Sequence, residues 1–299
     1  MVCVRRAWLV MGPRSLELED DTASYACTEL DLGFPEVRDS PVSPRPDRDG
    51  TDDRTRLMGS RPISANITAD ESGWMTPDEI ATLFAPYMVP SARPVLHYVL
   101  DRPGTPERFV TVRAADYGWP ITGGRTRDIH LAWVAPDPVM RDPAAREAVS
   151  HSGSSTVGGR TYDLAYDRTY VAGAGAPTTG VIESPGDVAV RPVVDIFGPI
   201  TDPVVTFQVQ DPPPAVVRTF ALRFVAGFRI DPGRWIRVDT DARTAADDTG
   251  ANIMGSLDWA GTQWPVLPTA PASTYMSLAG TTTTGVTQAV AMWTDGYLT

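Results

Sequence analysis

From Thr178 onward the chain alternates apolar and polar residues in short runs that Gly and Pro cut apart. The runs 178–184, 188–197, 203–209, 216–229, 234–239, 251–258, 274–279 and 284–294 share this two-residue period, and 160–171 precedes them with the same pattern. A period of two sends one set of side chains to a buried face and the other to water, which marks half-buried strands. Gly and Pro supply 25 and 28 of the 299 residues and are spread along the chain. With 42% hydrophobic residues, this is an ordered, turn-rich chain of the kind that builds sandwiches and barrels. It is long enough for two domains, each with its own core.

The first half carries the pattern less evenly. Strands are expected at 2–10, 15–19, 24–32, 61–68, 94–101, 108–115 and 126–134. Thr76-Pro77-Asp78-Glu79 predicts one helix, with Thr as N-cap, Pro at the first helical position and Glu where a capping box needs it. Ile80, Leu83, Phe84 and Tyr87 would form its apolar face, and Pro86 and Pro90 would end it. Asp142-Pro143-Ala144-Ala145-Arg146 reads as a short helix inside a polar stretch over 142–160, the natural place for a domain junction. The expected division is 1–150, a linker over 151–177, and 178–299.

Residues 33–60 are rich in Pro, Asp and Arg. A structureless segment of that length inside a compact domain is functional or disordered. Two readings stand: a surface loop, or an arm that orders against a neighbouring subunit. On the second, Arg45, Asp47, Arg48, Asp49, Asp52 and Arg54 are the subunit-interface residues.

A net charge of −11 argues against nucleic acid or an anionic membrane as the main partner, since both need a basic footprint. All 26 basic residues are arginine, which suits bidentate pairing at interfaces. At the N-terminus two arginines precede a short apolar run that stops at Met11-Gly12-Pro13. That run is too short for a signal peptide or a membrane span, so a soluble protein made in the cytoplasm is expected. Cys3 and Cys27 allow either a disulfide or two thiols. His97, His130 and His151 are scattered, and no spacing suits zinc.

Little in the chain points to catalysis. Ser152, Ser154 and Ser155 lie beside His151, but no nucleophile-elbow motif surrounds them. Asp239/Asp241 and Asp247/Asp248 read as turn formers rather than an acid–base pair, and no loop there has the oxygen ligands that calcium needs. Gly173-Ala174-Gly175-Ala176 lacks the Lys-Ser/Thr of a phosphate loop. Neither an enzyme nor a cofactor is expected. Trp235, Trp259, Trp264 and Trp293 all fall in the second half. An exposed Trp259 or Trp264 would stack on a sugar ring, with Asp258 or Gln263 supplying hydrogen bonds; buried, they would only pack.

Several segments occur in a familiar order. Asp49-Gly50-Thr51-Asp52, Tyr98-Val99-Leu100-Asp101, Arg108-Phe109-Val110-Thr111-Val112-Arg113 and His130-Leu131-Ala132-Trp133-Val134-Ala135-Pro136-Asp137-Pro138 fall in the first half. Val181-Ile182-Glu183-Ser184-Pro185-Gly186-Asp187, Arg191-Pro192-Val193-Val194-Asp195-Ile196-Phe197-Gly198, Asp231 to Thr240 and Ala289-Val290-Ala291-Met292-Trp293 follow in the second. This order resembles the distal tail proteins of phages with long, non-contractile tails. Two departures are Gly186-Asp187 where that family has Gly-Asn, and a longer stretch over 142–175.

The resemblance implies a mainly β protein, with a ring-forming N-terminal β domain carrying one helix and a galectin-like C-terminal sandwich. It implies a structural virion protein at the tail tip. Six copies would form a homohexameric ring between the tail tube protein and the hub or tail-associated lysin, with a channel for the tape measure protein and DNA. A ring of this kind closes through a heterologous interface, for which 33–60 is the candidate arm. Glu17, Glu19, Asp20 and Asp21 are candidates for an acidic channel lining, which would not retard phosphate. The alternative is a carbohydrate- or receptor-binding sandwich on the virion surface.

Overall fold

A computed structural model describes residues 4–18, 25–38, 57–70, 75–102, 104–118, 126–152, 178–211, 215–281 and 287–298. The chain divides into two compact units, Met1–Pro143 with Tyr297–Thr299, and Ala144–Gly296.

The first unit contains β1 (Val4–Met11), β2 (Arg14–Glu17), β3 (Tyr25–Asp31), β4 (Val37–Arg38), β5 (Leu57–Met58) and β6 (Arg61–Asp70). After α1 (Pro77–Phe84) come β7 (Val95–Leu100), β8 (Arg108–Thr111), β9 (Arg113–Gly118), β10 (Thr126–Ala135) and β11 (Met140–Arg141). One sheet runs β2-β1-β7-β8-β11 and is completed by the last strand of the chain, Gly296–Tyr297. A second runs β3-β6-β10-β9, and β4 and β5 make a two-stranded ribbon. Strand alternation points Leu9, Leu96, Tyr98 and Val110 from the larger sheet into the same core as Ile63, Ile67, Ile129, Leu131 and Trp133 from the smaller one. Each such side chain, fully buried, contributes about 1.5–3 kcal/mol.

The helix starts as its capping sequence dictates. Thr76 Oγ1 accepts from the Glu79 N–H at 3.3 Å, and the Glu79 carboxylate accepts from the Thr76 N–H at 2.8 Å. The Thr76 N–H, and after it the Thr76 hydroxyl at 3.0 Å from the same carboxylate oxygen, hold the Glu79 carboxyl below its ordinary pKa. Ile80, Phe84 and Tyr87 are buried as expected, but Leu83 is exposed and Ala81 is buried in its stead. A small residue on the inner face lets the helix approach β6, which it contacts.

The second unit contains β12 (Arg146–His151), β13 (Gly180–Ile182), β14 (Val193–Phe197), β15 (Ile200–Gln210), β16 (Val216–Arg223), β17 (Arg229–Ile230) and β18 (Trp235–Asp239). It continues with β19 (Thr244–Asp247), β20 (Ser273–Thr281) and β21 (Gln288–Trp293), which makes the closing strand Gly296–Tyr297 β22. One sheet is β12-β21-β14-β18-β19; the other is β13-β20-β15-β16, with β17 paired to β15. Val194, Ile196, Val238, Ala289 and Ala291 from the first meet Val205, Phe207, Leu222, Met276 and Leu278 from the second in one core. This is a two-sheet sandwich.

Several local expectations differ from the structure. The short helix expected at 142–146 does not form: Arg146–His151 is a strand in register with β21, Arg146 opposite Trp293 and His151 opposite Gln288. Pairing to a central strand overrides the modest helix preference of Ala and Arg. The expected strand at 251–258 is interrupted by a 3₁₀ turn, Met254–Ser256. The run 216–229 breaks after Arg223, and β17 resumes at Arg229. The run 188–197 begins as isolated bridges at Val188 and Val190 and becomes a continuous strand only after Pro192, which has no N–H to give a ladder. The run 160–171 and Cys3 lie outside the described residues.

The Gly186-Asp187 turn has a steric basis. The carbonyl of Gly296 accepts from both Asp187 and Val188 N–H, at 3.0 and 3.1 Å. A Cβ on Gly186 would sit 2.4 Å from that oxygen, so no larger residue fits without moving the backbone.

Candidate functional site

Two outward faces of the first unit differ in chemistry. On the larger sheet, Glu17, Trp8, His97 and Phe109 are register partners across β2, β1, β7 and β8. The Trp8 and His97 rings stack at 5.3 Å, and His97 and Phe109 at 5.7 Å. The Arg6 guanidinium lies 4.8 Å from the Trp8 ring centre and pairs with the Glu17 carboxylate. His97 Nδ1 is 2.6 Å from Glu107 Oε1. On the smaller sheet the outward row is polar: His130 Nδ1 bonds Asn66 Oδ1 at 2.8 Å, and Asn66 Nδ2 donates to Glu29 Oε2 at 2.9 Å. Thr68 donates to Asp128 beside it, at 2.8 Å.

Of the proposed channel-lining carboxylates, Glu17 is at the surface and ion-paired to Arg6. Glu19, Asp20 and Asp21 lie outside the described residues, as do Arg45, Asp47, Arg48, Asp49, Asp52 and Arg54. The described base of that segment is the β4–β5 ribbon, flanked by the exposed side chains of Phe34 and Met58.

In the second unit, Trp259 is 58% exposed, whereas Trp264 packs partly against the core. Their rings are 6.3 Å apart and tilted by 60°, so they do not form one flat platform. Asp258 Oδ1 accepts from Ala260 N–H at 3.1 Å and serves its own turn. Gln263 is tied by its backbone N–H to Ala221 O at 2.7 Å.

The residues weighed for catalysis do not converge. Ser152 is buried at the end of β12, and Ser154 and Ser155 lie outside the described residues. Asp239 accepts from the N–H groups of Asp241 and Ala242, as a turn former does. Asp247 accepts from the hydroxyl and N–H of Thr249 and the N–H of Ala251, and these bonds, the hydroxyl's first, lower its pKa. Among the described residues no group of three or more His, Cys, Asp or Glu could hold a metal, and no helix is long and apolar enough to cross a membrane.

Two sites were not singled out from the sequence. Arg61 is 1% exposed, and its guanidinium donates to the carbonyls of Pro138, Leu32, Gly33 and Leu298. The alternation itself carried that signal, since Arg61 shares the parity of the core residues Ile63, Ala65 and Ile67. The other is a pocket of about 220 Å³ lined by Trp235 and residues from 228–236 and 247–253. Its walls come from β17, β18, the end of β19 and the loops beside them, and no local pattern marks it.

No protein-family model matches this chain, and no curated protein matches it in sequence. In structure it is similar to the Dit protein (gp 19.1) of phage SPP1, described as a paradigm of the hub adsorption apparatus in phages infecting Gram-positive hosts. That likeness has a TM-score of 0.61 at 14% identity and covers 98% of this chain and 99% of that one. It is also similar to chains of the phage P2 baseplate in its activated conformation with Ca and with Sr, each at a TM-score of 0.46 and 10% identity over 96% of this chain. The fold is mainly β and Dit-like from end to end.

Proposed function

We propose that this chain is a structural, non-enzymatic protein of a phage tail tip, a ring adaptor of six copies. The observation that carries this is the end-to-end likeness to SPP1 Dit, which spans both units rather than one common sandwich. Fold alone does not dictate function, but a match over nearly the whole of two chains constrains it more than a shared domain would.

On this reading the first unit forms the ring and the second is the outward sandwich. The ring joins the tail tube protein to the hub or tail-associated lysin and leaves a channel for tape measure and DNA. Glu17, with Glu19, Asp20 and Asp21, contributes an acidic lining, and Arg45, Asp47, Arg48, Asp49, Asp52 and Arg54 form the arm that grips a neighbour. A closed ring needs one surface to fit a different surface of the next copy, and an arm of alternating charge meets that need. The phage would be a long-tailed one with a non-contractile tail, and the protein would reach its place by assembly in the host cytoplasm.

Mass photometry with negative-stain images of the purified full chain tests this. Six copies of the 32.3 kDa chain would give a species of about 190 kDa with a central hole. A monomer at every concentration would overturn the self-assembling ring.

A further inference from the structure

The pocket beside Trp235 is built from elements that hold each other in place. Asp231-Pro232-Gly233-Arg234 is a tight turn: Arg234 N–H donates to Asp231 O at 3.1 Å, and Gly233 has φ +76°. Pro second and Gly third are what a type II turn requires, because the third position needs a positive φ. The turn delivers Arg234 and Asp231 to the rim just before Trp235 enters β18. From the other side, Asp247 caps the loop after β19 with its three accepted bonds, and the next residue, Asp248, is left pointing at Arg234. Arg234 Nη1 and Asp248 Oδ2 are 2.7 Å apart, and Arg229 Nε and Asp231 Oδ1 are 3.0 Å apart.

Part of the lining is apolar. Trp235, Phe228 and Ile253 are half-buried there. Phe228 is braced by Phe224, stacked at 4.8 Å, and the Arg237 guanidinium sits 5.3 Å from the Trp235 ring centre. An aromatic wall with donors and acceptors beside it suits a ligand that has one apolar face and a ring of hydroxyls.

We propose that this pocket binds a single neutral sugar ring. Charge decides against an anion: each rim guanidinium already faces a carboxylate, so a phosphate or sulfate would meet no uncompensated positive charge. Size decides against a longer chain inside the pocket, since about 220 Å³ is below the roughly 300–1,000 Å³ of drug-sized sites. Hydroxyls both donate and accept. The free N–H groups of Arg229 and Arg234 and the carboxylates of Asp231 and Asp248 match both roles. The site is distinct from the Trp259 surface and does not depend on ring formation.

Saturation-transfer NMR on the full chain tests it with glucose, galactose, N-acetylglucosamine and rhamnose in turn, and with inorganic phosphate as competitor. At least one sugar should give saturable transfer in the millimolar range. Trp235→Ala and Arg234→Ala should each weaken it by about tenfold or more, while Trp259→Ala leaves it unchanged. Because Trp235→Ala removes packing, Arg229→Ala at an exposed rim position is the variant that keeps the fold; it should weaken binding with an unaltered melting curve. No transfer from any of the four sugars overturns the proposal. So does transfer undiminished in Arg229→Ala and Arg234→Ala, or displacement by phosphate.

Discussion

The two units each bury a charge and use it to secure distant chain, but with opposite sign. In the first, the guanidinium of Arg61 gathers four backbone carbonyls from three separate segments, Leu32–Gly33, Pro138 and Leu298. In the second, the wholly buried carboxylate of Asp295 takes the hydroxyl of Ser184 at 3.0 Å and lies 2.5 Å from Arg146 Nε. Arg146 Nε faces the second carboxylate oxygen, Oδ2, as an ion pair. Arginine has five donors in a fixed fork and serves as a hub for carbonyls. A carboxylate has only acceptors, so it must be met by donors, here one from a hydroxyl and one ionic neighbour. The cationic site has its neighbours inside the protein, whereas the anionic site shares its partner with water, since the Arg146 side chain is 43% exposed.

That difference ranks the consequences of breaking each site. Arg61→Met leaves buried carbonyls without donors and should cost the first unit about 3–5 kcal/mol. In urea unfolding followed by hydrogen exchange, the loss should be confined to β3, β6, β10 and the 297–298 segment. An equal loss in the sandwich strands would refute the idea of separate ionic sites. Asp295→Ala should cost the second unit less, about 1–3 kcal/mol, because Arg146 can turn to water. A cost above that of Arg61→Met would reverse the ranking. Thr76→Ala removes the helix cap and should lower the first unit by about 1 kcal/mol, read in the same experiment as faster exchange in Ile80–Phe84.

The smallest effect is one of pH. The Glu79 carboxyl is held below its ordinary value in the folded chain. Its stabilising contribution is therefore complete above the unfolded value, about 4.3, and is lost as pH falls through the folded one. A titration from about pH 6 to about pH 3 should bring the wild-type helix toward Glu79→Gln, which itself does not respond through this group. Helix protection in Glu79→Gln that falls in step with the wild type would show that another group is responsible.

Much of this architecture can be read from local sequence, because local forces decide it. The capping box at Thr76–Glu79 needs only residues three apart, and strands β6, β7 and β10 show their alternation within single runs. What escapes is what distant partners decide. Arg146–His151 is a strand because β21 lies alongside it, and Leu83 is exposed because α1 turns Ala81 toward the core. The proposed sugar pocket is a further case: Trp235 is visible as a tryptophan, but the lining also takes in Phe228, Ile253 and Asp248, which no spacing rule joins. Arg61 stands between the two kinds. Its parity with Ile63 and Ile67 was legible, but the four carbonyls that make a buried arginine tolerable were not.

The bond from Arg61 to Leu298 also bears on the order in which the molecule matures on the ribosome. Domains ordinarily close in the order they emerge. Here the first unit takes its final strand from Tyr297 and a carbonyl from Leu298, residues translated only after the whole sandwich. The two sheets of the sandwich draw all their described strands from 146–293. The part made first is thus the part finished last, since Arg61 lacks one of its four carbonyls until Leu298 is made.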